Sequence, residues 1–163
     1  MNNKFKIKIM KRIFIAVFAL ALTFTTVSCS NDSDPAATTV TVDSAAPIGA
    51  FTVSKSGTLT AQNGTPTTGK IETGTDSQGN SFVHLGTDFK TELGTGTATV
   101  YLSKTATFTS SPGTGNPDLK LVGIVTKNGE AYYKLSGAAP ADLPYVIIWC
   151  GTAGIPFGNG LLK

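Results

Sequence analysis

The chain has 163 residues, 14% of them charged, with 18 glycines and a formal net charge of +3. That length suits one domain plus a leader, and the sparse charge with abundant Gly and Thr favours short strands and tight turns over long amphipathic helices. Five of the 13 basic residues (Lys4, Lys6, Lys8, Lys11, Arg12) precede the first apolar run, so residues 29–163 keep eight basic against ten acidic residues, a net −2. No Lys/Arg cluster survives there to neutralise phosphates, and a nucleic-acid partner is not expected.

Residues 13–27, IFIAVFALALTFTTV, carry no charge and follow the basic segment 4–12. A membrane-spanning helix needs about 20 apolar residues, so this shorter run with its basic flank describes a secretory signal over residues 1–28. Met10 offers an alternative start to the same leader. The run ends in Thr26-Val27-Ser28-Cys29, a small residue before a cysteine, which resembles a bacterial lipobox. That resemblance implies a diacylglyceryl group on the Cys29 sulfur and acylation of its freed amine. Two or three acyl chains anchor stably where one does not. The acidic and polar Ser30–Asp34 that follows resembles a surface-export tag of some Gram-negative lipoproteins. The expected location is therefore the cell envelope, as an outer-membrane lipoprotein at the surface or facing the periplasm.

Residues 29–46 read as the lipidated cysteine and a flexible linker rich in Ser, Thr, Ala and Asp, too polar to bury itself. Asp43-Ser44-Ala45 resembles a short bacterial O-glycosylation motif. The domain is expected over residues 47–163. Its first strand signals are Phe51–Val53 and Thr58–Thr60, then Thr68–Glu72, a loop at Asp76–Asn80, and Ser81–Leu85, with Asp88–Leu93 as an extension after a bend. Thr97–Ser103 alternates, setting Ala98, Val100 and Leu102 on one face and Thr99, Tyr101 and Ser103 on the other. Residues 110–117 read as a loop. Asn128-Gly129, between Leu119–Thr126 and Glu130–Leu135, predicts a type I′ hairpin. Tyr145–Cys150, YVIIWC, is apolar on both faces and predicts a central strand covered on both sides. Together these predict an all-β fold, a single small antiparallel β-sandwich or barrel-like domain.

After Cys29 the chain contains one cysteine and one histidine, too few for a Cys/His zinc site, and it lacks a Walker loop or dinucleotide fingerprint. No cofactor is expected. A hydrolytic triad would have to use His84, which sits in a strand-like FVHL segment and reads as a structural or surface imidazole. With Cys29 consumed by lipid, Cys150 has no intrachain partner and is either buried and inert or accessible and reactive. Gly151 directly after it leaves room for close approach.

Tyr145–Cys150, followed by Ile155-Pro156-Phe157-Gly158 and Leu161-Leu162, resembles the DM-thirteen domain family, as do Val100–Ser103, Asp88-Phe89 and Gly129–Leu135 in order. The resemblance covers about residues 47–163. It implies a compact β domain of the kind found beside DOMON domains and b-type cytochromes, with Cys150 as the redox residue. Thr97-Ala98-Thr99 stands where relatives often carry a Pro-Asp pair, which removes any role of that Asp. One thiol cannot complete a dithiol cycle, so a separate redox protein is the expected partner. Cys150 and His84 as opposed haem ligands form a further option. The alternative is a non-enzymatic surface module that binds a glycan or protein. There Tyr101, Tyr132, Tyr133 and Trp149 supply contacts, unless they pack in the core.

Overall fold

The computed structural model describes residues 46–109 and 115–163. The expected leader, the cysteine Cys29 expected to carry lipid, the expected tether to residue 45 and most of the 110–117 loop lie outside them. Nine strands form among the described residues: β1 (Thr52–Thr58), β2 (Thr60–Ala61), β3 (Lys70–Thr75), β4 (Ser81–Leu85), β5 (Ala98–Ser103), β6 (Leu119–Val125), β7 (Ala131–Lys134), β8 (Tyr145–Cys150) and β9 (Ile155–Leu161). They build two antiparallel sheets, ordered β1-β3-β4-β7 and β2-β9-β8-β5-β6. The fold is all-β and sandwich-like, not a closed barrel.

The core lies between the sheets. Alternation supplies it: Ile71, Val83, Leu85 and Tyr133 point in from the first sheet, and Val100, Leu102, Val146, Ile148 and Cys150 from the second. The expected split of β5 holds, with Ala98, Val100 and Leu102 in the core cluster. β8 lies between β9 and β5, as its apolar sequence requires. Its outward Ile147 is fully buried. Residues 104–109 fold back near that face, where Asn159 Nδ2 donates to Ala106 O at 3.0 Å and Phe108 stacks on Trp149.

The hairpin expected at Asn128-Gly129 does not form. β6 pairs with β5, whereas β7 pairs with β4 in the other sheet. The Asn-Gly pair is instead a corner between sheets. Gly129 takes φ 90°, which favours glycine, and its N–H donates to Phe89 O at 2.8 Å. Asn128 Oδ1 accepts from Thr91 N at 2.8 Å, so the turn is bonded to the segment after β4 rather than closing a ladder. That segment, expected to extend β4, forms only an isolated bridge between Thr68 and Lys90.

The sheets approach closely where β1 passes the chain's end. Ser56 and Lys163 exchange both backbone hydrogen bonds, at 3.1 and 2.9 Å. A side chain on Gly57 would place its Cβ 2.1 Å from the Leu161 carbonyl oxygen. Gly57→Ala should therefore destabilise the domain by about 2 kcal/mol, because backbone and not a movable side chain stands in the way. A urea melt checks this, and an unchanged midpoint would show that β1 does not need this approach.

Asp76 organises the β3–β4 loop. Its carboxylate accepts from the backbone of Ile48, Gln78 and Asn80 and from the Asn80 side-chain amide, at 2.9–3.2 Å. Burial alone would raise its pKa; the Asn80 amide and the three backbone N–H groups outweigh that and draw it from 3.8 down to about 2. A depressed carboxyl pKa stabilises the fold above the ordinary value, and that contribution is lost as pH falls from 3.8 towards 2. Urea midpoints should therefore drop across this interval in wild type, and Asp76→Asn should flatten that part of the profile and lower the midpoint at neutral pH.

Candidate functional site at the end of β8

Cys150 is the last residue of β8 and shares the inward face with Val146 and Ile148. It pairs with Ala98 on β5 and Ile155 on β9, and its side chain is fully buried as a free thiol. Above it the chain reverses through Gly151–Gly154, four exposed residues. Within that turn the Ala153 N–H donates to Cys150 Sγ at 3.3 Å, and the Gly154 N–H donates to Cys150 O at 2.9 Å. Gly151 N–H is bonded to Thr97 O at 2.9 Å. Of the two fates left open by the sequence, the sulfur takes the buried one, beneath a single exposed turn.

The neighbouring residue faces the other way. Trp149 stacks on Phe108 with ring centroids 3.9 Å apart, and Phe108 meets Tyr101 edge-on at 5.0 Å. A bulge at Ile148/Trp149 sets Trp149 opposite Pro156 and turns Phe157 into the core. Trp149 therefore shapes the outer surface next to the sulfur, and Phe157 shapes the interior.

A second constellation escaped the sequence reading. Glu72 on β3, His84 on β4 and Tyr132 on β7 are direct cross-strand neighbours, forming one row on the outer face of the first sheet. His84 Nδ1 lies 2.8 Å from Glu72 Oε2, and Nε2 lies 3.1 Å from Glu130 Oε1. The imidazole stacks on Tyr132 at 4.2 Å with the rings nearly parallel, and Phe51 meets both edge-on. Ionised carboxylates only accept hydrogen bonds, so filling both contacts at once takes an imidazole protonated on both nitrogens. Burial works to raise the Glu72 pKa, but the bonds and charges of Lys70 and His84 prevail and lower it. Burial, with the Glu130 charge beside it, raises that of Tyr132.

This placement corrects the haem option. His84 is committed to two carboxylates on the outer face, while Cys150 points into the core, so the two cannot flank one iron. Among the described residues no group of three His, Cys, Asp or Glu side chains is arranged to hold a metal ion. Of the four aromatic residues proposed for surface contact, Tyr133 belongs to the core; its hydroxyl donates to Ile124 O at 3.3 Å, and burial pushes its pKa up to about 12. Tyr101, Tyr132 and Trp149 lie on the outer faces.

The domain is thus a sandwich of two antiparallel sheets with a buried cysteine at the end of an apolar central strand. The model described as electron transfer DM13 matches residues 58–161, and the chain belongs to that family. No curated protein matches the chain, and no solved structure does.

The row across β3, β4 and β7 can be tested by stability. Glu72 is 5% exposed. Glu72→Gln should cost about 1–3 kcal/mol, the usual loss when a buried charge-assisted bond is removed. Glu130→Gln, on a half-exposed side chain, should cost under about 1 kcal/mol. Equal losses in urea melts would show that the row does not depend on the buried partner.

Proposed function

We propose that the protein is a membrane-anchored electron-transfer module in which Cys150 is the redox group and Cys29 carries the lipid. The observation that carries the reading is membership of the electron transfer DM13 family combined with the position of Cys150. The domain holds one sulfur, and the exposed turn 151–154 beside it contributes the Ala153 N–H to that sulfur. The partner is a separate redox protein that supplies a disulfide. The Cys150 sulfur attacks one sulfur of that disulfide and forms a mixed disulfide. The partner's other sulfur leaves as a thiol, and a second thiol reverses the step. The lipid and the linker hold the domain at the outer membrane, facing the periplasm or the surface. Residues 1–28 are the cleaved signal, 29–46 the tether and 47–163 the functional domain.

Local opening of the turn distinguishes a working thiol from an inert one. Alkylation of Cys150 in the native protein should proceed at a rate nearly independent of urea well below the unfolding transition, because residues 151–154 open without the core. Alkylation that tracks global unfolding, with Cys150→Ser fully able to exchange electrons with the partner, would falsify the redox reading. The anchor is tested separately: a fatty-acid analogue fed to cells should label wild type and spare Cys29→Ala, and equal labelling would sink the lipoprotein assignment.

The outer face of the first sheet favours a second reading, recognition of a glycan or protein at the cell surface. Phe51, His84 and Tyr132 form an aromatic group there, and a hollow beside Tyr132 is also lined by Ile124, Lys127 and Glu130. Aromatic faces next to charged groups suit such contacts.

A further inference from the structure

A cavity of about 230 Å³ opens at the other end of β8, between the sheets. Its lining includes Leu102, Leu143 and Leu162, all buried, and Ala139 from the segment before β8. Polar side chains share this lining, from Ser54, Lys55, Thr73, Thr75 and Ser81. Lys55 and Thr73 are direct cross-strand partners on β1 and β3, so their side chains project to the same side. Both line the cavity.

Neither side chain has a hydrogen-bond or ion-pair partner among the described residues. Thr73 is 3% exposed, yet its hydroxyl makes no hydrogen bond among the described residues. Lys55 is half-buried at the same place and has no ion-pair partner among them. The Thr73 hydroxyl is not sealed from solvent, and Thr73 and Lys55 both border the cavity. The apolar side of that space is formed by Leu102, Leu143 and Leu162. The volume lies below the roughly 300–1,000 Å³ of drug-sized sites, so the occupant is small.

We infer that this cavity binds a small amphipathic carboxylate, its anionic head between Lys55 and Thr73 and its aliphatic body against Leu102, Leu143 and Leu162. The charge follows from Lys55, the one lysine in the lining. The apolar body follows from the leucine lining. The acceptor oxygen follows from the unbonded Thr73 hydroxyl. This binding function is independent of the Cys150 chemistry.

An eight-carbon carboxylate with a diazirine on its aliphatic chain, applied to the full chain in membranes of the expressing cell, tests the site. Irradiation followed by peptide mapping should place the label in the segments containing Leu102, Leu143 and Leu162, and excess octanoate should compete it away. Lys55→Met should weaken apparent affinity for the carboxylate about tenfold, as expected for loss of a charge-assisted contact, and leave the methyl ester of the probe unaffected. Thr73→Val, which keeps the β-branched shape, should weaken both probes. Circular dichroism of each variant confirms the fold, with Lys55→Gln as the replacement should Lys55→Met misfold. Label spread over exposed Ile48 and Ile124 and resistant to octanoate would overturn the proposal. Carboxylate binding unchanged in a folded Lys55 variant would do the same, leaving the lysine as a guard of the β1 edge.

Discussion

β8 is apolar on both faces, with only Tyr145 and Trp149 partly exposed, and most of the architecture answers that constraint. A strand apolar on both sides needs a layer on each. The first sheet covers Val146, Ile148 and Cys150. On the opposite side Ile147 is equally buried. There the return of residues 104–109 supplies Phe108 and is tied down by Asn159. Register is strongly set by such packing, because a slip of one residue exchanges the faces. It would bring the Trp149 indole into a core fitted to a thiol and lift the sulfur to the surface. The same alternation that builds the core thus fixes where the only sulfur of the domain sits.

Charge is organised on the outside of the first sheet. Glu72 is nearly buried there, and it is stable because Lys70 and His84 both hold its carboxylate. A buried charge without partners would be expensive, whereas this one is paired from two sides. The stacked Tyr132 and the edge of Phe51 shield the pair from water. Asp76 follows the same logic at the β3–β4 loop, where amide donors take the place of cations. In both cases a carboxylate orders its neighbourhood by accepting several bonds at once.

Elements governed by local periodicity were legible in the sequence. The alternation of Thr97–Ser103 assigned the inward residues of β5 correctly, and YVIIWC identified an interior strand. Elements governed by the choice of a distant partner were not. Asn128-Gly129 is a sound turn signal, and a turn is there. Which strands it joins into a ladder depends on where β4 and β5 already stand. Asn128 and Gly129 bond to Thr91 and Phe89, nearly forty residues away, and nothing local announces that. The Glu72–His84–Tyr132 row was hidden for the same reason. Tyr132 meets His84 only because β7 leaves β6 for the first sheet, and the expected hairpin would have kept them apart. The Cys150 alternatives needed packing to separate them, since a strand-end cysteine followed by glycine fits either fate.

The two ends of β8 hold different groups, and the strand keeps them apart. Cys150 ends it beneath the 151–154 turn, while the cavity with Lys55 and Thr73 lies near Leu102, the partner of Val146. Four residues separate Val146 from Cys150, about 13 Å of extended chain. The pairing of β8 with β5 runs from Tyr145 to Cys150 without a register shift. The bulges of this sheet fall on its other pairings, of β5 with β6 and of β8 with β9. A continuous ladder between two interior strands does not slip by fractions of a residue, so a group entering one end leaves the other where it was. At the sulfur end the exposed turn 151–154 is bonded to Thr97 O and Cys150 O. The fold therefore holds its sulfur in the core, directly beside that turn.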